Sequence, residues 1–151
     1  MASYREHALE GSSAVDLVVA LYNGIIRFLY AAIDAVERDD EEGRRAAVKR
    51  ALDIIIHLQA RLRMDVGGRP AQVLSEFYAS IFAQILQASQ SASASKFAHS
   101  IDCVRNVRDA WREVAKETNT SRVITMPARS SHGAADSTET EDEAAVSSWT
   151  A

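Results

Sequence analysis

LVVALYNGIIRFLY, residues 17–30, is an almost wholly apolar run in which only Asn23 and Arg27 are strongly polar and Gly24 sits near the middle. Extended in both directions, it shows apolar side chains at Val15, Val18, Tyr22, Ile25, Leu29, Ala32 and Val36, separated alternately by three and four residues. That period places one apolar seam along a helix, the pattern of a bundle element rather than a strand. Ser12 and Ser13 precede it as N-cap candidates. Asn23, Arg27 and Asp34 interrupt the run short of the roughly 18 apolar residues a bilayer requires, so no membrane span is expected. The cluster Asp39, Asp40, Glu41, Glu42 with Gly43 ends this helix and places negative charge at the start of the next.

Three further segments repeat the period. Residues 41–65 carry Val48, Leu52, Ile55, Gln59 and Leu62 as a seam, with Ile54, Ile56 and Leu58 beside it, until Gly67, Gly68 and Pro70 break the helix. Residues 71–88 carry Leu74, Phe77, Tyr78, Ile81, Ile85 and Leu86. After the small-residue connection SQSASAS at 89–95, residues 96–117 carry Phe97, Ile101, Val104, Val107, Trp111 and Val114. No segment sustains a period of two. The expected fold is all-α, an antiparallel four-helix bundle with short loops, with room for a short extra helix, and a disordered C-terminal tail.

The tail is the part after Thr118. Residues 1–118 hold 15 basic and 16 acidic side chains, and residues 119–151 hold 2 and 5, so most of the net charge of −4 belongs to the tail. Rich in Ser, Thr, Ala and acid, it cannot bury enough apolar surface to offset its ordering entropy. The division is a helical-bundle domain at 1–118 and an acidic tail at 119–151, in which Trp149 reads either as an incidental aromatic or as an anchor. A nearly neutral bundle offers no clustered cations for phosphate, so no nucleic acid is expected. The single Cys103 excludes an internal disulfide, and MASYREHALE lacks the pattern of a secretory signal, which leaves the cytoplasm as the default compartment.

Reaction chemistry has no foothold in this sequence. His7, His57, His99 and His132 lie in separate segments without a second His or Cys at ligand spacing. The Glu-x-x-His pattern of di-metal bundles is absent. Gly67-Gly68 has neither the spacing nor the following Lys of a phosphate loop. His57 reads as a core-edge residue and Cys103 as a buried one. No metal, no cofactor and no enzymatic activity are expected.

What remains is surplus apolar surface. Leu17, Leu21 and Phe28 form a second stripe beside the seam of the first helix, with Gly24 between them. Ile54, Ile55 and Ile56 span about 200° of helix and cannot all face one narrow core. Three covers suit such surface: a fifth element of the same chain or plain wide-face packing, a homodimer interface of a self-associating regulatory or adaptor protein, or the apolar helices of another chain lying in a groove. In the last case the segment around Tyr4 and Leu9 is a temporary cover. Gly24, whose missing side chain costs about 0.5–1 kcal/mol of helix stability, permits close approach of a neighbouring helix or of a ligand peptide.

The succession Tyr4, Ser12-Ser13, Leu17-Val18-Val19-Ala20-Leu21-Tyr22-Asn23-Gly24-Ile25-Ile26 resembles the opening of the flagellar secretion chaperone family FliS, with its early Tyr, Ser/Thr-Pro helix start and Leu-Tyr-Asp-Gly-like motif. The resemblance continues through Ile54-Ile55-Ile56-His57-Leu58, Gly67-Gly68, Leu74 with Phe77-Tyr78, and Val107-Arg108-Asp109-Ala110-Trp111, covering residues 4–117. Ala14 stands where the family often has Pro, Asn23 where Asp is common, and Ala88-Ser89 where Ala-Asn is frequent; the acidic tail has no counterpart. The resemblance implies a cytoplasmic export chaperone that binds the disordered C-terminal segment of flagellin, prevents premature polymerisation and assists flagellar type III secretion. It leaves open whether an export-gate component or an anti-sigma factor binds as well. The residues expected to meet the client are Tyr4, Leu9, Leu17, Leu21, Gly24, Phe28, Ile54 and Leu58.

Overall fold

Three short connections set the topology. The computed structural model describes the backbone of residues 2–131 and the side chains of residues 14–117. Its helices are α1 (Ala2–Glu37), α2 (Glu41–Ala60), α3 (Gly68–Gln90) and α4 (Ala94–Ser131). Connections this short return each helix beside its predecessor, and α1 also packs on α4, which closes an up-down-up-down square with α1 opposite α3 and α2 opposite α4. The described residues contain no strand.

Each turn has a local cause. Asp39 takes the left-handed conformation (φ 54°) after α1. Asp40 then caps α2, its carboxylate accepting from the Gly43 N–H at 2.9 Å, with Glu41 and Glu42 in the positive first turn. Gly43 therefore belongs to α2 rather than ending α1: a Cβ there would collide with the folded-back Asp40 carboxylate. Between α2 and α3, a Cβ on Gly67 would meet the Arg63 carbonyl at 2.6 Å, so that position has no room for a side chain, and Gly68 has φ +57°, a conformation that favours glycine. Pro70 lies in the first turn of α3, where a missing N–H costs nothing. Ala92 (φ 46°) turns the chain into α4, with the Ser93 N–H returning to the Ala88 carbonyl at 3.0 Å and Ser93 Oγ accepting from the Lys96 N–H at 3.2 Å.

The core is built from all four helices. Tyr22, Ile25 and Leu29 of α1 meet Ala51, Ile55 and Leu58 of α2, Tyr78, Ile81 and Ile85 of α3, and Phe97, Ile101 and Val104 of α4. The expected α1 seam is buried at Tyr22, Ile25, Leu29 and Ala32, and only partly at Val15, Val18 and Val36. In α2 the seam is rotated from the expected one. Ala47, Val48, Ala51, Ile55 and Leu58 are buried, whereas Gln59 is exposed and donates from Nε2 to Ser75 Oγ of α3 at 2.7 Å.

Helix limits also differ from expectation. α1 begins at Ala2, so Ser12 and Ser13 lie inside the helix and do not cap it. α2 stops at Ala60, and α4 continues past Glu117 to Ser131. The rest of the expected disordered tail, with His132 and Trp149, lies outside the described residues. The stretch Ala14–Glu37 is long and apolar enough to cross a membrane, contrary to the count that stopped it at its polar residues. Its Tyr22, Ile25, Leu29 and Ala32 are committed to the bundle core, the other situation in which a helix acquires that composition.

Candidate partner-binding grooves

The outer groove between α1 and α2 collects most of the residues expected to meet a client. Leu17, Leu21, Gly24 and Phe28 recur every three or four positions on the side of α1 turned towards α2. Opposite them stand Ile54 and Arg50. A Cβ on Gly24 would lie 3.0 Å from Ile54 Cδ1, and the Arg50 guanidinium carbon sits 5.7 Å from the Phe28 ring centre, with that of Arg27 at 5.4 Å. Gly24 thus admits a side chain of α2, which decides between the two approaches the sequence left open. Leu21, Phe28 and Ile54 are half-buried against the core, and Leu17 is 41% exposed. Leu58 departs from expectation: at 3% exposure it is a core residue, because α2 turns it inward with Ala51 and Ile55. The side chains of Tyr4 and Leu9 lie outside those described.

The opposite side of α1 is closed by directional polar bonds. Arg108 Nη1 donates to Asn23 Oδ1 at 2.9 Å, and Arg105 Nη2 donates to the Tyr30 hydroxyl at 2.8 Å. Trp111 Nε1 donates to the Tyr22 hydroxyl at 3.4 Å, and that hydroxyl is 2.7 Å from the hydroxyl of Tyr78 on α3. The two tyrosine rings meet edge to face, 6.2 Å between centres. Burial pushes both phenols above their ordinary value near 10.0; hydrogen bonds from Tyr78 and Trp111 moderate the rise at Tyr22, and the bond with Tyr22 adds to it at Tyr78.

A second groove, between α2 and α3, was not singled out from the sequence. Leu52 and Ile56 are one turn apart on α2, and Phe82 and Leu86 one turn apart on α3. The Gln59–Ser75 bond fixes the antiparallel register, which sets Leu52 level with Phe82. Ile56 is 55% exposed and Leu86 40%, one to either side along the groove of half-buried Leu52 and Phe82. The signal was present in the consecutive pairs Ile55-Ile56 and Ile85-Leu86, of which only the first member can face the core.

Among the described residues no group of three or more His, Cys, Asp or Glu side chains could hold a metal. His57 and His99 are exposed. Cys103 is half-buried, less than expected, with its Sγ 3.7 Å from His99 Nε2 one turn earlier. A shallow depression between α3 and α4 is lined by Gln84, Gln87, Ser95, Lys96 and His99, a polar set without a nucleophile and base in hydrogen-bond contact.

Fold and surface therefore define an antiparallel helical bundle that presents apolar grooves. The family model described as flagellar protein FliS matches residues 1–118. Similar proteins include the flagellar secretion chaperone FliS of Campylobacter jejuni, 30% identical over 112 residues that make up 74% of this chain and 88% of that one. Those of Bacillus subtilis (23% over 120 residues, 80% and 89%) and Salmonella typhimurium (27% over 115 residues, 76% and 85%) are similar over comparable lengths. The chain belongs to the FliS family of flagellar secretion chaperones.

Proposed function

We propose that this protein binds the C-terminal segment of flagellin in the cytoplasm, keeps it from polymerising and assists its delivery to the flagellar type III export machinery, without catalysing a reaction. The observation that carries the reading is the apolar line Leu17, Leu21 and Phe28 beside Ile54, left half-exposed along one groove of a chain in this family. A client segment that folds as it docks would cover this line, and the ordering cost of the client is offset by a long apolar contact. The client-contact set is Leu17, Leu21, Phe28 and Ile54, with buried Gly24 making room for Ile54 beneath them and with Tyr4 and Leu9 covering the groove when it is empty. The bundle at 1–118 is the client-binding part and the tail at 119–151 a separate segment. An export-gate component or an anti-sigma factor is a further partner to be tested once the client is in hand.

Pull-down with the host's flagellin tests the reading: flagellin is retained, and flagellin lacking its C-terminal segment is not. Leu21→Glu weakens retention at least tenfold with the helical circular dichroism unchanged. Unaltered affinity of that variant removes the α1–α2 groove from the reading. A dimer that ignores flagellin in light scattering replaces the reading with a self-associating adaptor.

A further inference from the structure

We infer that the groove between α2 and α3 is the docking site of this protein's own C-terminal segment, residues 136–151, with its acidic block over Arg61, Arg63 and Arg69 and Trp149 seated on Leu52, Ile56 and Phe82.

Charge is the first argument. Residues 44–69, which make up most of α2 and the turn into α3, hold seven basic side chains (Arg44, Arg45, Lys49, Arg50, Arg61, Arg63, Arg69) and two acidic ones (Asp53, Asp65), a net of +5. Residues 132–151 hold Asp136, Glu139, Glu141, Asp142 and Glu143 and no Lys or Arg, a net of −5. The rest of the bundle, residues 1–43 and 70–118, holds eight basic and fourteen acidic side chains, so the attraction for such a segment is greatest along this stretch. Around the turn, Arg63 shares the exposed Asp65 at 3.8 Å, and Arg61 and Arg69 have no ion-pair partner among the described residues.

Reach is the second argument. The Ser100–Gln84 bond fixes the register of α3 and α4, so the first residue of α3 lies level with about residue 116, and α4 continues to Ser131. At 1.5 Å per residue, Ser131 stands about 22 Å beyond that end of the bundle. Arg69 and Arg61 are then about 25–35 Å from Ser131, counting the diagonal from α4 to α2, and Ile56 and Leu52 about 40–45 Å. Eight to twelve residues lead from Ser131 to Glu139–Glu143, spanning at most about 28–42 Å, and eighteen lead to Trp149, spanning at most about 60 Å. The order of features along the segment, acids first and Trp149 last, matches the order of cations and apolar side chains along the path. The residues between Glu143 and Trp149 are uncharged and include Val146, which suits a segment entering an apolar groove.

The test labels the full chain with 5-fluorotryptophan and follows the two fluorine resonances, that of Trp149 being the one absent from Trp149→Phe. Expected is a Trp149 resonance displaced from that of the unfolded chain, which moves to the unfolded position in Ile56→Glu, in high salt and in an Arg61→Glu, Arg69→Glu variant. Replacing Glu139 and Glu141 by Lys in the last variant restores the displacement. The Trp111 resonance stays in place throughout and reports that the bundle is folded; Leu86→Glu repeats the test should Ile56→Glu disturb it. A Trp149 resonance at the unfolded position in the unaltered chain overturns the inference. So does a displacement lost on dilution, which assigns the groove to the tail of a second copy.

Discussion

The two sides of α1 close by different physics. Towards α4, the helix is held by hydrogen bonds with fixed directions: Asn23 to Arg108, Tyr30 to Arg105, Tyr22 to Trp111. Towards α2 it is held by the fit of Ile54 over Gly24 and by the Arg50 guanidinium against the Phe28 ring, with apolar side chains left half-open to water. A polar seam has its bonds satisfied and offers little to a newcomer, whereas a half-open apolar seam gains from any further covering. One helix thus presents a finished side and a side with contact area to spare, and the proposed client is assigned to the second.

Substitutions at four positions test that contrast. Leu29→Ala removes a fully buried side chain shared by both sides, and urea unfolding should show a loss of about 2–5 kcal/mol. A loss below about 1 kcal/mol means that the two sides are held independently of the core between them. Gly24→Leu forces a side chain into the space of Ile54 and should cost about 1–3 kcal/mol, whereas Gly24→Ala, which displaces only the tip of Ile54, stays within about 0.5 kcal/mol of the parent. Equal costs for the two would remove close approach as the reason for glycine. Tyr22→Phe leaves the Trp111 N–H and the Tyr78 hydroxyl without their partner and should cost about 1–2 kcal/mol. Because both phenols have raised values when folded, the unfolded chain loses those protons first, so the contribution of this pair to stability is level below about pH 10 and is lost as the pH rises above it. The variant should fall less steeply there, and identical alkaline limbs would separate the phenols from that loss. Smallest is Asn23→Asp, which gives Arg108 a charged acceptor on the polar side and should gain under about 1 kcal/mol, weakening with salt. A loss instead shows that Arg108 is already saturated by Asp109 at 3.1 Å.

The α1 seam and the helical class were legible because large apolar residues carried the period. In α2 the period was read one step off, since the helix turns Ala47 and Ala51 inward and alanine leaves only a faint apolar signal. Gln59 looked like a seam position by spacing, and its amide found Ser75 instead. Helix ends were less legible than helix existence. Ser12 and Ser13 cap only when the chain before them is not helical, and α1 begins ten residues earlier at Ala2. The stripe Leu17, Leu21, Gly24 and Phe28 could be read from spacing on one helix. The groove of Leu52, Ile56, Phe82 and Leu86 could not, because its two lines belong to different helices and come together only through the register of α2 on α3.

The placement of the two longest helices has a mechanical consequence. α1 and α4 are antiparallel neighbours, and their outer ends, at Ala2 and Ser131, leave the bundle on the same side. Tension applied between those ends is directed across the α1–α4 seam rather than along it. Of the cross-seam bonds described above, it loads Trp111–Tyr22 before Arg108–Asn23 and Arg108–Asn23 before Arg105–Tyr30, so these open one after another. A pull from the α1–α2 turn at Asp39 and the α2–α3 turn at Gly67 strains α2 along its own axis and must shear its packing against α1 and α3 together. The fold is soft to peeling at its termini and stiff along its second helix.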